Sequence, residues 1–132
     1  MKLQDKVAII TGGGYGIGRV IALRFAAEGA KTVVVGRSKD KLDASVNKIE
    51  SLGADTLAVQ CDISKENEVK SMVKKVVDHF GSIDVLVNNA AAEGPTLPIH
   101  EMEAEDWRQV VDVNLNGLFY CTKYVLKEMI PR

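Results

Sequence analysis

Five glycines crowd the eight residues Thr11-Gly12-Gly13-Gly14-Tyr15-Gly16-Ile17-Gly18. They follow the apolar run Val7-Ala8-Ile9-Ile10 and lead straight into an amphipathic segment. That order suits the binding of a phosphate by backbone. A helix N-terminus presents N–H groups without acceptors and a partial positive charge, and glycines let an anion approach the main chain closely. The spacing Thr-Gly-x-x-x-Gly-x-Gly also fits a dinucleotide fingerprint through Gly12, Gly14, Gly16 and Gly18, with one residue added. A bare glycine pattern is weak, but a strand before it and a helix after it are the context the fingerprint demands. The N–H groups of Gly14, Tyr15 and Ile17 are the candidate contacts, and Thr11 is a structural hydroxyl that holds the turn. Glycines serving only a tight turn are the alternative.

A second candidate is Arg37. In dinucleotide-binding folds an acid near the end of the second strand, about 20 residues beyond the glycines, takes the ribose 2′-hydroxyl, whereas an arginine accommodates a 2′-phosphate. Gly36-Arg37 occupies that place, which favours NADPH. A charge-assisted contact of about 1.5–3 kcal/mol corresponds to roughly one to two decades of preference. As a solvated loop charge, Arg37 would confer none. Metal chemistry is not indicated. Cys61 and Cys121 lack metal-ligand spacing and form no disulfide framework, and read as reduced core thiols of a cytosolic protein. His79 and His100 are isolated, and Glu101, Glu103, Glu105 and Asp106 read as a solvated acidic face.

Positioning these residues falls to a repeated strand–helix rhythm. Lys6–Thr11 is a short apolar strand, and the helix from about Gly16 to Glu28 carries Ile17, Val20, Ile21 and Phe25 on one face. Lys31–Gly36 is the second strand. The helix from Ser38 carries Leu42, Val46 and Ile49 and ends at Gly53. Thr56–Gln60 is the third strand. After Ser64, which reads as a cap, Val69, Met72, Val73, Val76, Val77 and Phe80 recur at helical intervals up to Gly81. Gly29, Gly53 and Gly81 each stand where a helix end needs a left-handed residue. Ile83–Val87 is a fourth strand, Asn88–Pro98 a loop, and Glu103–Val111 and Asn114–Met129 two helices. Continuous apolar strands between amphipathic helices imply a parallel sheet covered on both faces, with ligands at the C-terminal strand ends.

Composition agrees with one ordinary α/β domain. The chain has 132 residues and a formal net charge of −1, enough to bury about two-thirds of its unfolded surface. Basic and acidic residues interleave, so no nucleic-acid partner is expected. The longest apolar run is too short to span a bilayer, and Met1-Lys2-Leu3-Gln4-Asp5 lacks a signal-peptide core. No membrane partner and a cytoplasmic location are therefore expected.

Four markers, in order, carry a family likeness. They are Thr11-Gly12-x-x-x-Gly16-Ile17-Gly18, Asp62 after the third strand, Asn88-Asn89-Ala90-Ala91 after the fourth, and Asn114 in Val113-Asn114-Leu115-Asn116-Gly117. Over essentially its whole length the chain resembles the N-terminal half of a short-chain dehydrogenase/reductase, in the subfamily with 3-oxoacyl-carrier-protein reductases. The resemblance implies a doubly wound parallel (Rossmann) sheet, truncated after the helix following strand four. It further implies that the Asp62 carboxylate receives the adenine amino group with Ile63 beside the ring, although Asp62 also reads as a turn residue. By the same likeness, Asn89 and Ala90 lie beside a cofactor ribose, and Asn88 ties strands together. Ala91 replaces a more frequent glycine. Gly36 fills the place where NAD-preferring relatives tend to carry aspartate, and Tyr15 stands where many NADPH-preferring relatives have a second basic residue. Asn114 matches a catalytic proton-relay asparagine, its alternative being a helix cap.

The family's catalytic serine, and its tyrosine and lysine in Y-x-x-x-K, belong to a following strand and helix. Lys123 and Lys127 follow Tyr120 and Tyr124 at three residues rather than four, so these tyrosines do not replace them. The expectation is therefore the NADP(H)-binding part of an oxidoreductase acting on a small carbonyl or alcohol, a fragment inactive alone. A non-catalytic dinucleotide-binding or regulatory protein is the alternative. The family uses the last helix for dimer contacts, which implies a homo-oligomer in the full-length context.

Overall fold

Strand β1 (Val7–Thr11) is buried at every position, so it needs apolar cover on both faces and a neighbour along each edge. The computed structural model, which describes residues 1–132, supplies all four. β2 (Lys31–Gly36) pairs with β1 in parallel, Ile9 opposite Val33 and Thr11 opposite Val35. β4 (Val85–Val87) pairs with its other edge, Ile9 opposite Leu86. β3 (Thr56–Gln60) joins β2, giving the order β3-β2-β1-β4. Parallel neighbours require crossovers, and helices fill them.

Alternation along the strands divides the core in two. Val7, Ile9, Val33, Val35 and Val59 face α3 (Glu66–Phe80) and α5 (Leu118–Met129), with Val69, Met72, Val76, Cys121 and Val125 buried among them. Ala8, Ile10 and Val34 face α1 (Gly16–Ala27) and α2 (Lys39–Glu50). The doubly wound parallel sheet expected from sequence is what forms. Gly29, Gly53 and Gly81 all have positive φ, as expected at these helix ends.

Four local expectations are corrected. α1 buries Gly18, Ala22 and Ala26, while Ile17 and Val20 are 74% and 65% exposed. Gly18 lies against the Gly12 carbonyl, so small residues fill the centre of the inner face, while Ile21 and Phe25 pack on the core as expected. Ser64 does not cap α3; Lys65 holds that position, and Ser64 donates instead to Asp62. β4 starts at Val85 rather than Ile83, and Asp84 before it joins β1 through its N–H, which donates to the Val7 carbonyl, and its carboxylate, which accepts the Val7 N–H, both at 2.8 Å. Finally, the two last helices are continuous. α4 (Ala104–Val111) runs through a π turn (Asp112–Gly117) into α5, so Asn114 lies inside a helix and caps nothing.

Candidate functional site

Thr11 organises the C-terminal end of the sheet. Its hydroxyl accepts the N–H groups of Asn89 and Ala90, both at 3.0 Å, and donates to the Val87 carbonyl at 3.3 Å. The hydroxyl therefore holds the loop after β4, rather than its own turn as the sequence suggested. Asn89 returns the tie, its Nδ2 donating to the Gly12 carbonyl at 3.3 Å. Gly12 itself has φ +68°, and any Cβ there would sit 2.8 Å from Asn89 Nδ2. Gly18 is required by contact alone, since a Cβ would run into the Gly12 carbonyl.

The other side of the loop is pinned by two residues that the sequence did not single out. Arg19 donates to the Gly14 carbonyl, to Ser45 Oγ at 2.9 Å and to the Lys41 carbonyl at 3.2 Å. Buried Ser45 passes the tie on to the Gly13 carbonyl at 2.7 Å. Only the separation of 26 residues between them hid this network. Held from both sides, the loop leaves the N–H groups of Gly14, Tyr15, Gly16, Ile17 and Gly18 without a protein acceptor. α2 has its Ser38 cap, whereas α1 has no side-chain cap at all. N–H groups without acceptors on a fixed backbone at a helix start make a candidate anion cradle.

A cleft runs from this cradle across the strand ends. One lobe is lined by Gly12, Tyr15, Arg37, Asp62, Ile63 and Ala90 among others. A second adds Gly14, Ser38 and Lys41, and a third reaches Ile17, Asn89 and Ala92. The structure thus gathers the candidates Gly12, Gly14, Tyr15, Ile17, Arg37, Asp62, Ile63, Asn89 and Ala90 around these adjoining lobes. Gly16 and Gly18 shape the glycine loop beside them. Arg37 is exposed with no carboxylate within 4.0 Å, and its backbone carbonyl accepts from Gln60 Nε2 at 2.9 Å.

Asp62 takes the turn role that its position also suggested. Its Oδ1 accepts the Ser64 N–H at 3.0 Å and the Ser64 hydroxyl at 2.7 Å, which closes the turn, while Oδ2 accepts nothing from the protein. Ile63 is held by Gly117, where a Cβ would meet Ile63 Cγ1 at 2.7 Å. Asn88 bonds Thr122 on α5 at 3.2 Å, so it ties a strand end to a helix. Asn114 stands back from the groove. Its amide brackets Ala92, accepting that residue's N–H at 2.7 Å and donating to its carbonyl at 2.9 Å.

The sequence analysis did not single out Lys41, which lies in the first turn of α2, four residues after Arg37. Burial pushes the Cys61 thiol up to about 12 and the Cys121 thiol up to about 11, so Cys61 lines the cleft as an apolar group. The donor set suits the adenosine and pyrophosphate portion of a nicotinamide dinucleotide. Backbone N–H groups without acceptors suit a diphosphate, a cation without a carboxylate partner suits a further anionic group, and a carboxylate oxygen beside an aliphatic wall suits an adenine amino group.

A right-handed α/β sheet with a glycine cradle at its strand ends defines a dinucleotide-binding protein. The family model described as short chain dehydrogenase matches residues 6–132, and the chain belongs to that family. Over 128 residues it is 43% identical to a 3-oxoacyl-acyl-carrier-protein reductase, FabG, of Staphylococcus epidermidis, covering 96% of this chain and 52% of that protein. The crystal structure of an NAD+-bound xylitol dehydrogenase superposes with a TM-score of 0.96 at 32% identity, covering 99% of this chain and 50% of the other. A metagenomic short-chain oxidoreductase in complex with NADP gives 0.95 at 30% identity, covering 99% and 59%. The chain spans about half the length of the curated relatives it matches. None of its helices is long and apolar enough to cross a membrane.

Proposed function

We propose that residues 1–132 are the NAD(P)-binding Rossmann domain of an oxidoreductase, the C-terminal half of the usual family domain being absent, and that NADP(H) is preferred over NAD(H). The observation that carries this reading is the set of adjoining clefts that share Gly12, Tyr15 and Arg37, beside the glycine-loop N–H groups that have no protein acceptor, and that reach Asn89 and Ala92. When bound, the nicotinamide ring supplies a hydride to a carbonyl carbon or accepts one from an alcohol. The N–H groups of residues 14–18 hold the diphosphate, Arg37 the 2′-phosphate, Asp62 and Ile63 the adenine, and Asn89 and Ala90 the ribose. Asn114 fixes the loop through Ala92 and serves as the relay asparagine only alongside an active-site lysine.

A binding titration tests the cofactor assignment. NADPH is expected to bind about tenfold or more tightly than NADH, and Arg37→Ala to remove most of that difference. Equal binding by the unaltered chain would refute it. With no Y-x-x-x-K tyrosine, the isolated chain is expected to turn over neither carbonyls nor alcohols. Turnover that survives purification and disappears in Asn114→Ala would support catalysis by this chain. A small-molecule carbonyl or alcohol substrate, a homo-oligomer and a cytoplasmic location complete the proposal, the last supported by two buried free thiols. The alternative, a dinucleotide-binding regulatory protein, predicts the same binding with no requirement for further chain.

A further inference from the structure

We infer that Lys41 is a second specificity residue for the 2′-phosphate, oriented by Tyr15 and lining the same lobe of the cleft as Arg37. The inference rests on the NADP(H) reading. Its first support is that the Lys41 main chain is immobilised against the phosphate loop. The N–H donates to Ser38 Oγ at 3.4 Å, and the carbonyl accepts from Arg19 at 3.2 Å. A Cβ at Gly14 would lie only 3.2 Å from that of Lys41, so the absence of a side chain at Gly14 is what lets α2 approach the loop. The anchor of this lysine is therefore part of the cradle.

The second support is where its charge goes. Lys41 Nζ lies 4.4 Å from the centroid of the Tyr15 ring. Tyr15 lines all three lobes of the groove and is itself 57% exposed. A cation over an exposed ring is oriented without being neutralised. The lobe shared by Tyr15, Gly36, Arg37, Ser38 and Lys41 thus holds two cations, neither with a carboxylate within 4.0 Å. The nearby Asp43 is engaged by Lys39 at 2.7 Å, and Asp40 does not line the lobe. Two uncompensated charges facing one small space suit a phosphate dianion better than a ribose hydroxyl. Lys41 supplies a point charge where Arg37 supplies a directed fork.

The test is calorimetric titration of the 132-residue chain with adenosine 2′,5′-bisphosphate and with 5′-AMP, alongside Arg37→Ala, Lys41→Ala and Lys41→Arg, with circular dichroism confirming each fold. The unaltered chain should prefer the bisphosphate by about tenfold or more. Lys41→Ala should cut that ratio by about fivefold while leaving 5′-AMP affinity unchanged, and Lys41→Arg should restore most of it. A ratio unchanged in Lys41→Ala, with Arg37→Ala still abolishing it, would overturn the role of Lys41 and leave the NADP(H) reading intact. Equal loss of both ligands would also overturn it, since Lys41 would then serve the shared phosphate. No preference in the unaltered chain would overturn both.

Discussion

One hydroxyl, that of Thr11, connects the first strand of the chain to the loop after the last. Thr11→Val keeps the shape but leaves two part-buried N–H groups without their acceptor. It should lower stability by about 1–3 kcal/mol, read as a lower urea midpoint at an unchanged slope. Thr11→Ser should restore most of the loss. The thiols give a pH-dependent signature. Both titrate near 9.0 when free, but burial raises Cys61 to about 12 and Cys121 to about 11. Between those values the folded state holds protons that the unfolded state has released. Their contribution is thus complete below pH 9.0 and lost as the pH rises towards 11 and 12. Thermal scans should show stability falling across that window, more shallowly in a Cys61→Ala, Cys121→Ala pair. Iodoacetamide at pH 8 should label neither thiol until urea is added. Among site residues, Arg37 and the glycines were legible because a fixed spacing from the first strand identifies them. Lys41, Arg19 and Ser45 were not, because their partners lie on other elements and no local pattern marks them.

At the scale of elements, the strands were legible because apolar runs bounded by glycine have few alternatives. α3 was equally plain, its buried stripe following a 3.6-residue period. α1 was misread in part for a physical reason: hydrophobic periodicity rewards large side chains, whereas a helix held against a glycine loop selects small ones. The π turn left no mark in the pattern either. Its six residues shift the register between α4 and α5, setting Gly117 against Ile63 and Asn114 against Ala92. Gly117→Ala puts a methyl group 2.7 Å from Ile63 Cγ1 and 3.1 Å from the Ile63 carbonyl. Overpacking of this kind should cost about 1–3 kcal/mol. Because Ile63 lines the cleft, 5′-AMP binding should weaken in the same variant. Full affinity in a destabilised Gly117→Ala would separate the packing role of Ile63 from adenine binding.

For the molecule as a whole, the sheet is unevenly covered. β4 is an edge strand whose three residues are only half-buried, and from α4 through the π turn to just beyond α5 Trp107, Leu115, Phe119 and Ile130 are more than half exposed. Open backbone beside an apolar patch promotes association. Light scattering after size exclusion should therefore show dimers or larger species at high micromolar concentration. A monodisperse monomer that melts cooperatively would show that the chain is self-sufficient. The position of β1 also bears on how the chain is made. β1 is made before the other strands of the sheet, yet Val7 meets Asp84 only at a sequence separation of 77. At about 5–20 residues per second, a ribosome leaves one edge of β1 without its partner for roughly 4–15 s. During that interval Val7–Thr11 is an apolar segment awaiting a distant neighbour, and parallel pairing of this kind is slow even once both strands exist. The strand that anchors the finished sheet is therefore the one most dependent on shelter during translation.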